Sequence, residues 1–328
     1  MFMNVKQEVL KFFEESKGIC ISGAQLAIQL SVSRNAVWKA VKSLQDDGYS
    51  ITAVTNKGYT LTKSNDILSP QSVSKYLADD AGPFNIEVHK TISSTNSVLK
   101  SLALDGESEG KVVIALEQTV GRGRMNRSFY SPSGTGIYMS ILLRPKMSAT
   151  DSLFLTTSAA VAVAEAIETV AERNAKIKWV NDIYCDNKKV CGILTEASLN
   201  FEGGGLEYAV LGIGINVLEP PGGFPDELKG IATSVFNGAN CPADLKSRLV
   251  AEILNRFWTY YKSIDNKAFL KSYINRSMIV GNEVYLIGNN TCEKALATKI
   301  DEQCRLWVKM QDGTEKALSS GEVSIKKV

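Results

Sequence analysis

Between two apolar stretches of the chain lies Gly-Arg-Gly-Arg-Met-Asn-Arg-Ser-Phe-Tyr-Ser-Pro-Ser-Gly-Thr-Gly, residues 121–136, with three arginines and four glycines in sixteen positions. Guanidinium groups at that density point to an anion, because each presents a planar fork of donors that matches carboxylate or phosphate oxygens. The glycines leave the backbone free to wrap closely or to stay loose. The stretch is not a Walker A loop, since no Gly-Lys-Ser/Thr follows at the required spacing. Nor is it a dinucleotide fingerprint, since the third glycine is missing and a strand follows instead of a helix. An anion here would be held by guanidinium forks more than by a helix N-terminus. Three readings stand: an Arg-Gly segment for RNA, a solvated hairpin end, or a lid that orders over a phosphate-bearing ligand. Composition puts the lid narrowly ahead.

Histidine limits the alternatives. The chain has one, His89, so a Ser-His-Asp or Cys-His mechanism would have to run through it, and a zinc site with two histidines is excluded. It lies in the alternating run Asn-Ile-Glu-Val-His, where a histidine hydrogen-bonded at a strand end is the expectation. Chemistry then falls to arginine, lysine and backbone amides. The six cysteines, at 20, 185, 191, 241, 292 and 304, make no C-x-x-C pair and no regular framework, which predicts reduced thiols. Cys185 and Cys191 are expected as small buried hydrophobes rather than as a redox pair.

These residues must be carried by ordered elements. With 328 residues, 44% hydrophobic and 22% charged, the chain is long enough for two or three globular domains. No apolar run is expected to reach membrane-spanning length. The N-terminus carries acids at helical spacing, unlike a signal peptide, which predicts a cytoplasmic protein without a membrane partner.

The first 63 residues hold eight Lys and Arg against five Asp and Glu, a net +3 within an overall +2, and so lean toward a polyanion. Val5, Val9, Phe12 and Phe13 recur at helical spacing and Gly18 closes that helix. Ser22 with Gln25 reads as a capping box for a short second helix. Ser33 caps a third, on which Ala36, Val37, Ala40, Val41 and Leu44 share a face. A hairpin signal, Asn56-Lys57-Gly58, follows. Helices plus hairpin make a winged helix-turn-helix. It predicts double-stranded DNA binding, with Arg34, Asn35 and Trp38 toward bases, Lys39, Lys42 and Lys57 on phosphates, and the helix cap Ser33 also a DNA-binding candidate. A helical domain for protein contacts is the plainer alternative.

After a polar, proline-containing boundary near residue 64, strands and helices alternate in an α+β pattern around a mainly antiparallel sheet. Residues 111–118 read as a strand entering the Arg-Gly loop and 136–144 as the strand leaving it. A long helix over roughly 150–173 follows, then β-rich runs over 175–199 and 205–217 with turns at Asp186-Asn187 and Gly203 to Gly205.

Five short strings occur in order: Ser-Ser-Thr-Asn (93–96), Glu-Gln-Thr-Val-Gly-Arg-Gly-Arg-Met-Asn-Arg-Ser-Phe-Tyr-Ser-Pro (117–132), Lys-Trp-Val-Asn-Asp (178–182), Lys-Lys-Val-Cys-Gly-Ile-Leu-Thr-Glu (188–196) and Gly-Ile-Gly-Ile-Asn-Val (212–217). Each alone is weak. Together they resemble the signature blocks of biotin protein ligases, and the N-terminal domain is similar to that of the two-function biotin operon repressors. The resemblance covers nearly the whole chain. It implies three domains: a winged helix-turn-helix over 1–64, a central α+β ligase domain over 65–276 and a C-terminal SH3-like β-barrel over 277–328.

Carried onto this chain, the resemblance implies a reaction. Biotin and ATP give biotinyl-5′-AMP and pyrophosphate, and a lysine of a biotin carboxyl carrier protein then takes the biotinyl group. Ser94, Thr95, Asn96 and Gln118 would bind biotin's ring. Arg122, Gly123, Arg124 and Lys189 would meet the carboxylate and phosphate end. Arg127, Phe129, Lys178, Asn181 and Asn216 would serve the nucleotide. Arg124, Lys189 and Asp182 are the catalytic candidates, and Asp182 would place either Mg2+ or the carrier's lysine. A homodimer on a palindromic operator is implied as well. Two positions depart from the family pattern: Phe129 stands where tryptophan is common, and Val180 where proline is. Two competing readings meet opposing residues. A biotin sensor-repressor without ligase activity is opposed by the presence of Arg122, Arg124, Asp182 and Lys189. A lipoate ligase is opposed by the lack of its Arg-Arg-x-Ser-Gly-Gly-Gly stretch.

Overall fold

The computed structural model describes residues 4–55, 57–200, 204–237, 241–287 and 292–324. The chain separates into two units, Met1–Ala78 with Gly238–Ala251, and Asp79–Asn237 with Glu252–Val328. The boundary expected at residue 64 falls inside the first unit.

In that unit Asn4 caps α1 (Val5–Glu15), Ser22 caps α2 (Gly23–Gln29) through the Ala24 amide, and Ser33 caps α3 (Arg34–Asp46) through the Ala36 amide at 3.1 Å. The Ser22 cap is one-sided, without the reciprocal Gln25 bond of a box. Val9 and Phe13 of α1 meet Leu26 of α2 and Val37, Val41 and Leu44 of α3 in one core. Each such buried large side chain contributes about 1.5–3 kcal/mol. Strands β1 (Ile51–Val54) and β2 (Gly58–Leu61) pair antiparallel as the wing. Asn56, at the expected hairpin turn, lies outside the described residues. The unit continues through α4 (Pro70–Ser74), whose Ser69–Ser72 capping box is complete. Lys17, just past the end of α1, forms a buried ion pair with Asp244, and Ser72 hydrogen-bonds Ser247 at 2.8 Å.

The second unit is built on a seven-stranded sheet in the order β3-β4-β5-β9-β8-β7-β6. Its strands are β3 (Asn85–His89), β4 (Lys111–Ala115), β5 (Gly136–Leu143), β6 (Lys176–Lys178), β7 (Asp182–Cys185), β8 (Lys188–Leu199) and β9 (Leu206–Asn216). Only β3 and β4 run parallel, so the sheet is mainly antiparallel as expected. Helix α5 (Thr95–Leu104) packs Leu99 and Ala103 on Val113, Leu142 and Val210. The turn between β7 and β8 places both Asp186 and Asn187 at positive φ. Gly203 of the other expected turn lies outside the described residues.

Helix α6 (Leu153–Ala171) corrects one expectation. Thr150–Ala171 is long and apolar enough to cross a bilayer by composition, with mean hydropathy 1.5. Yet Leu155 and every residue from Ala159 to Ala164 are fully buried in the unit. Its apolarity on all sides is what a central core helix needs. Helix α7 (Leu245–Lys262) begins in the first unit and runs into the second, followed by α8 (Leu270–Asn275). The chain then forms a five-stranded antiparallel sheet, consistent with the expected SH3-like domain: β10 (Glu283–Ile287), β11 (Cys292–Ile300), β12 (Leu306–Met310), β13 (Glu315–Leu318) and β14 (Glu322–Ser324). Trp179 Nε1 donates to the Cys304 carbonyl at 2.9 Å and ties this sheet to the central one.

Candidate functional site

The site is assembled on one face of the central sheet. Side chains two residues apart on a strand share a face, and the register aligns Ser140 of β5 with Gly212 of β9, and Gly212 with Leu194 of β8. The next row aligns Tyr138, Gly214, Gly192 and Asp182. Three glycines therefore make a floor without side chains. A Cβ at Gly212 would lie 2.2 Å from Asn96 Oδ1, one at Gly214 would lie 2.6 Å from the Phe129 ring, and one at Gly192 would lie 3.2 Å from Lys189 Nζ. The open cleft above this floor is lined by Ser94, Thr95, Asn96, Gln118, Arg122 and Phe129.

The Ser-Ser-Thr-Asn string opens α5. Ser94 occupies the N-cap position but makes no capping hydrogen bond, although it is only 2% exposed. The Thr95 amide donates to Gln118 Oε1 at 2.9 Å, and Gln118 Nε2 donates to Ser131 Oγ at 3.1 Å. Ser140 Oγ lies 2.6 Å from both Thr95 Oγ1 and Asn96 Oδ1. Asn96 Nδ2 donates to Glu196 Oε2 at 2.8 Å, and Glu196 Oε1 pairs with Lys100. Partial burial pushes the Glu196 carboxyl up. Hydrogen bonds from Lys100 and Asn96, with the charges of Lys100 and Arg122, outweigh this and hold it below the usual carboxylate range.

The Arg-Gly loop is a tight hairpin, not an open segment. Phe129 N donates to Gly121 O at 2.9 Å and Gly123 N to Arg127 O at 2.7 Å. Met125 and Asn126 take left-handed φ of 53° and 60° at its tip. Any side chain at Gly121 would strike the Phe129 carbonyl, at 2.3 Å from its Cβ. Arg122 is half exposed over the cleft, 3.9 Å from Glu196. Arg124 Nη1 donates to Asn181 Oδ1 at 3.0 Å, and Asn181 Nδ2 donates to the Ile193 carbonyl at 2.7 Å. The loop is thus anchored to β8 through Asn181. The Trp179–Val180 peptide is cis.

Lys189 and Asp182 meet across β7 and β8, Nζ to Oδ1 at 2.8 Å. A register shift at Val190 makes this possible, pairing Tyr184 with Lys189 and Ile183 with Cys191. Strict alternation would have put Lys189 on the face opposite Gly192, and the bulge turns it into the site. Lys178 lies 5.9 Å from the Tyr184 ring centroid, and Asn216 Nδ2 donates to the Thr233 carbonyl at 3.3 Å. The structure therefore gathers Ser94, Thr95, Asn96, Gln118, Arg122 and Phe129 around one cleft, with Arg124, Asn181, Asp182 and Lys189 joined in pairs beside it. Arg127 closes the hairpin through its backbone.

No three His, Cys, Asp or Glu side chains converge on a metal position among the described residues. Asp182, the magnesium candidate, has its buried Oδ1 2.8 Å from the Lys189 ammonium and no other hydrogen-bond partner among the described residues. Cys185 and Cys191 are buried free thiols, and burial pushes the Cys185 thiol up to about 11 and Cys191 higher still. His89 ends β3 with Nε2 3.0 Å from Glu87 Oε1. Sequence reading missed Glu196, Lys100 and Ser140. Period-two counting from Gly192 would have put Glu196 on the site face, whereas Ser140 needed the strand register.

In the first unit, Ser33, Arg34, Asn35, Trp38, Lys39, Lys42 and Lys57 are all exposed, with Trp38 at 54%. The α3 face opposite to the core thus carries one aromatic and four polar or basic side chains, a suitable surface for a DNA groove. Lys42 also lies 3.9 Å from Asp46, an exposed pair of little energetic weight.

Comparison with known proteins agrees with both halves. Residues 88–216 match the Biotin/lipoate A/B protein ligase family and residues 5–60 match an HTH domain. The chain is 34% identical over 328 residues to the bifunctional ligase/repressor BirA of Bacillus subtilis, covering 98% of each protein. It is 27% identical to the bifunctional ligase/repressor BirA of Escherichia coli, covering 93% of this chain and 92% of that one. Among solved structures, the biotin protein ligase from Aquifex aeolicus in complex with biotin and ATP superposes with a TM-score of 0.62 at 30% identity, over 74% of this chain and 99% of that one.

Proposed function

The chain belongs to the biotin protein ligases, among the bifunctional ligase/repressors, and from that premise we propose how its residues divide the work. It is an ATP-dependent biotin ligase and a DNA-binding repressor. Biotin's carboxylate attacks the α-phosphate of ATP, pyrophosphate leaves, and the biotinyl-5′-AMP so formed is opened by a lysine amine of a biotin carboxyl carrier protein, with AMP leaving.

Both steps bring anions together and build charge on phosphorus, so positioned cations and excluded water are the main catalytic needs. Ser94, Thr95 and Gln118 receive biotin's polar ring at the closed end of the cleft. Arg122, Arg124 and Lys189 meet the carboxylate and phosphate, with Gly123 allowing close approach. Asp182 orients Lys189. Arg127, Phe129, Lys178, Asn181 and Asn216 serve the nucleotide. The hairpin 121–129 acts as the lid over the adenylate. Magnesium enters with ATP as part of that substrate, because no cluster of three His, Cys, Asp or Glu side chains stands among the described residues to hold it.

The repressor half binds operator DNA through α3 and the wing, as a homodimer on a palindrome, and the protein works in the cytoplasm with its carrier. Adenylate promotes dimerisation and DNA binding, and linkage then requires tighter adenylate binding by the DNA-competent dimer.

The observation that carries the reading is the glycine floor under Ser94, Gln118 and Arg122, with Arg124 anchored beside them. Biotin-dependent exchange of labelled pyrophosphate into ATP tests it without carrier or operator. Exchange that ignores lipoate and falls about 10²–10³-fold in Arg124→Ala is the expected result. Biotin binding without exchange would reduce the protein to a sensor-repressor. Equal operator affinity with and without biotin plus ATP would remove the adenylate control.

A further inference from the structure

Asn96, expected to read the ligand, has little hydrogen-bonding capacity left. An amide offers two N–H donors and one oxygen. Nδ2 donates to Glu196 Oε2 at 2.8 Å and faces the Leu194 carbonyl at 3.4 Å, while Oδ1 accepts from Ser140 Oγ at 2.6 Å. An ionised carboxylate only accepts, so Glu196 fixes which way the amide points. The Asn96 amide fills the space that a Cβ at Gly212 would take, 2.2 Å from Oδ1. Glu196 is in turn held by Lys100, one turn along α5 from Asn96. By contrast Ser94 makes no capping bond, and Gln118 gives one of its two N–H groups to Ser131.

We propose that Asn96 and Glu196 are positioning residues, an amide–carboxylate pair that pins the start of α5 to β8 so that Ser94, Thr95 and Gln118 face the biotin ring. This rests on the biotin-ligase reading and gives Asn96 a different role from the one the sequence suggested. Glu196 acts chiefly through Asn96, with the half-exposed Arg122 a weaker contact at 3.9 Å, and does not touch the reacting atoms.

The test is a swap in the full-length protein, read by pyrophosphate exchange as biotin KM, ATP KM and kcat, with biotin Kd by calorimetry. Asn96→Asp alone sets two carboxylates against each other and raises biotin KM about tenfold or more, the loss of a charge-assisted hydrogen bond. ATP KM and kcat move much less. Adding Glu196→Gln restores the pair with its polarity reversed: the new amide donates, and the new carboxylate still accepts from Ser140 and lies one turn from Lys100. Biotin KM then returns most of the way. If Asn96 donates directly to biotin, the double variant stays as impaired as Asn96→Asp and the proposal fails. It fails equally if Asn96→Asp leaves biotin KM unchanged or shifts ATP KM as much. Should Asn96→Asp not fold, Glu196→Ala against Glu196→Gln gives the same contrast, since only glutamine keeps an acceptor for Asn96. Absence of exchange in the unsubstituted protein would refute the ligase reading instead, and the calorimetric series would still decide the pair.

Discussion

Gly212→Ala places one methyl group where the site has no room for it. The backbone at Gly212 is ordinary strand, so alanine meets no conformational penalty there and the whole effect is steric. Its Cβ would stand 2.2 Å from Asn96 Oδ1 and 2.9 Å from Cγ. Ordinary contact needs about 3.4 Å or more between such atoms, so the amide must retreat by roughly 1 Å. Asn96 cannot do so and keep its bonds to Ser140 at 2.6 Å and Glu196 at 2.8 Å. Losing both costs about 2–3 kcal/mol. At about 1.4 kcal/mol per decade this is a fall of about 30- to 160-fold in kcat/KM for biotin. The assay is pyrophosphate exchange with biotin varied at saturating ATP, then the reverse. Gly214→Ala supplies the contrast, because its Cβ meets the Phe129 ring at 2.6 Å, and that ring sits on a hairpin that can yield. It should raise ATP KM more than biotin KM. Wild-type kcat/KM for biotin in Gly212→Ala would refute the idea of a rigid amide over a bare strand.

In the first unit, Arg34→Ala should weaken operator binding by about 1–3 kcal/mol in a mobility-shift titration, whereas Lys39→Ala should weaken all sequences alike and reduce the salt slope by about one. Pyrophosphate exchange should be untouched by either. Asp244→Asn leaves Lys17, whose side chain is 7% exposed, without its main counter-charge, and should destabilise the protein by about 3 kcal/mol in urea titrations. Burial tends to raise the Asp244 carboxyl, but Lys17 and Tyr76 hydrogen bonds and the lysine charges hold it below its ordinary value. The stability from this group is therefore complete above the ordinary carboxylate value and is lost as pH falls through the depressed native one. An unchanged acid limb in Asp244→Asn would contradict that. A thiol alkylating agent at neutral pH should label the exposed Cys20 and Cys292 in the native protein and spare Cys185, Cys191 and Cys304. Burial holds the Cys185 and Cys304 thiols at about 11 and Cys191 higher still. Rapid labelling of the buried three, read by mass spectrometry, would show that the core opens.

Much of the protein was written locally. Ser33 before an amphipathic run specifies a capped helix with an exposed basic face, and the short apolar runs around residues 111–118, 136–144 and 205–217 specify buried strands, because caps and local apolar runs act within a few residues. The resemblance to biotin protein ligases implies Ser94, Gln118 and Arg122 as ligand residues, and they line one cleft. What acts across long separations was not legible. Asn96 and Glu196 are 100 residues apart, Lys17 and Asp244 are 227 apart, and no local signal pairs them. Residues beyond 64 cluster with the N-terminal helices for the same reason, since α4 and the start of α7 join that unit by tertiary contact. A one-residue bulge at Val190 turned Lys189 toward Asp182, and the register of β5 on β9 put Ser140 beneath Asn96. Sequence determined which elements form and which chemical groups are available. Only the packing of distant strands decided which of those groups face each other, because a strand's side chain changes face with a shift of a single residue.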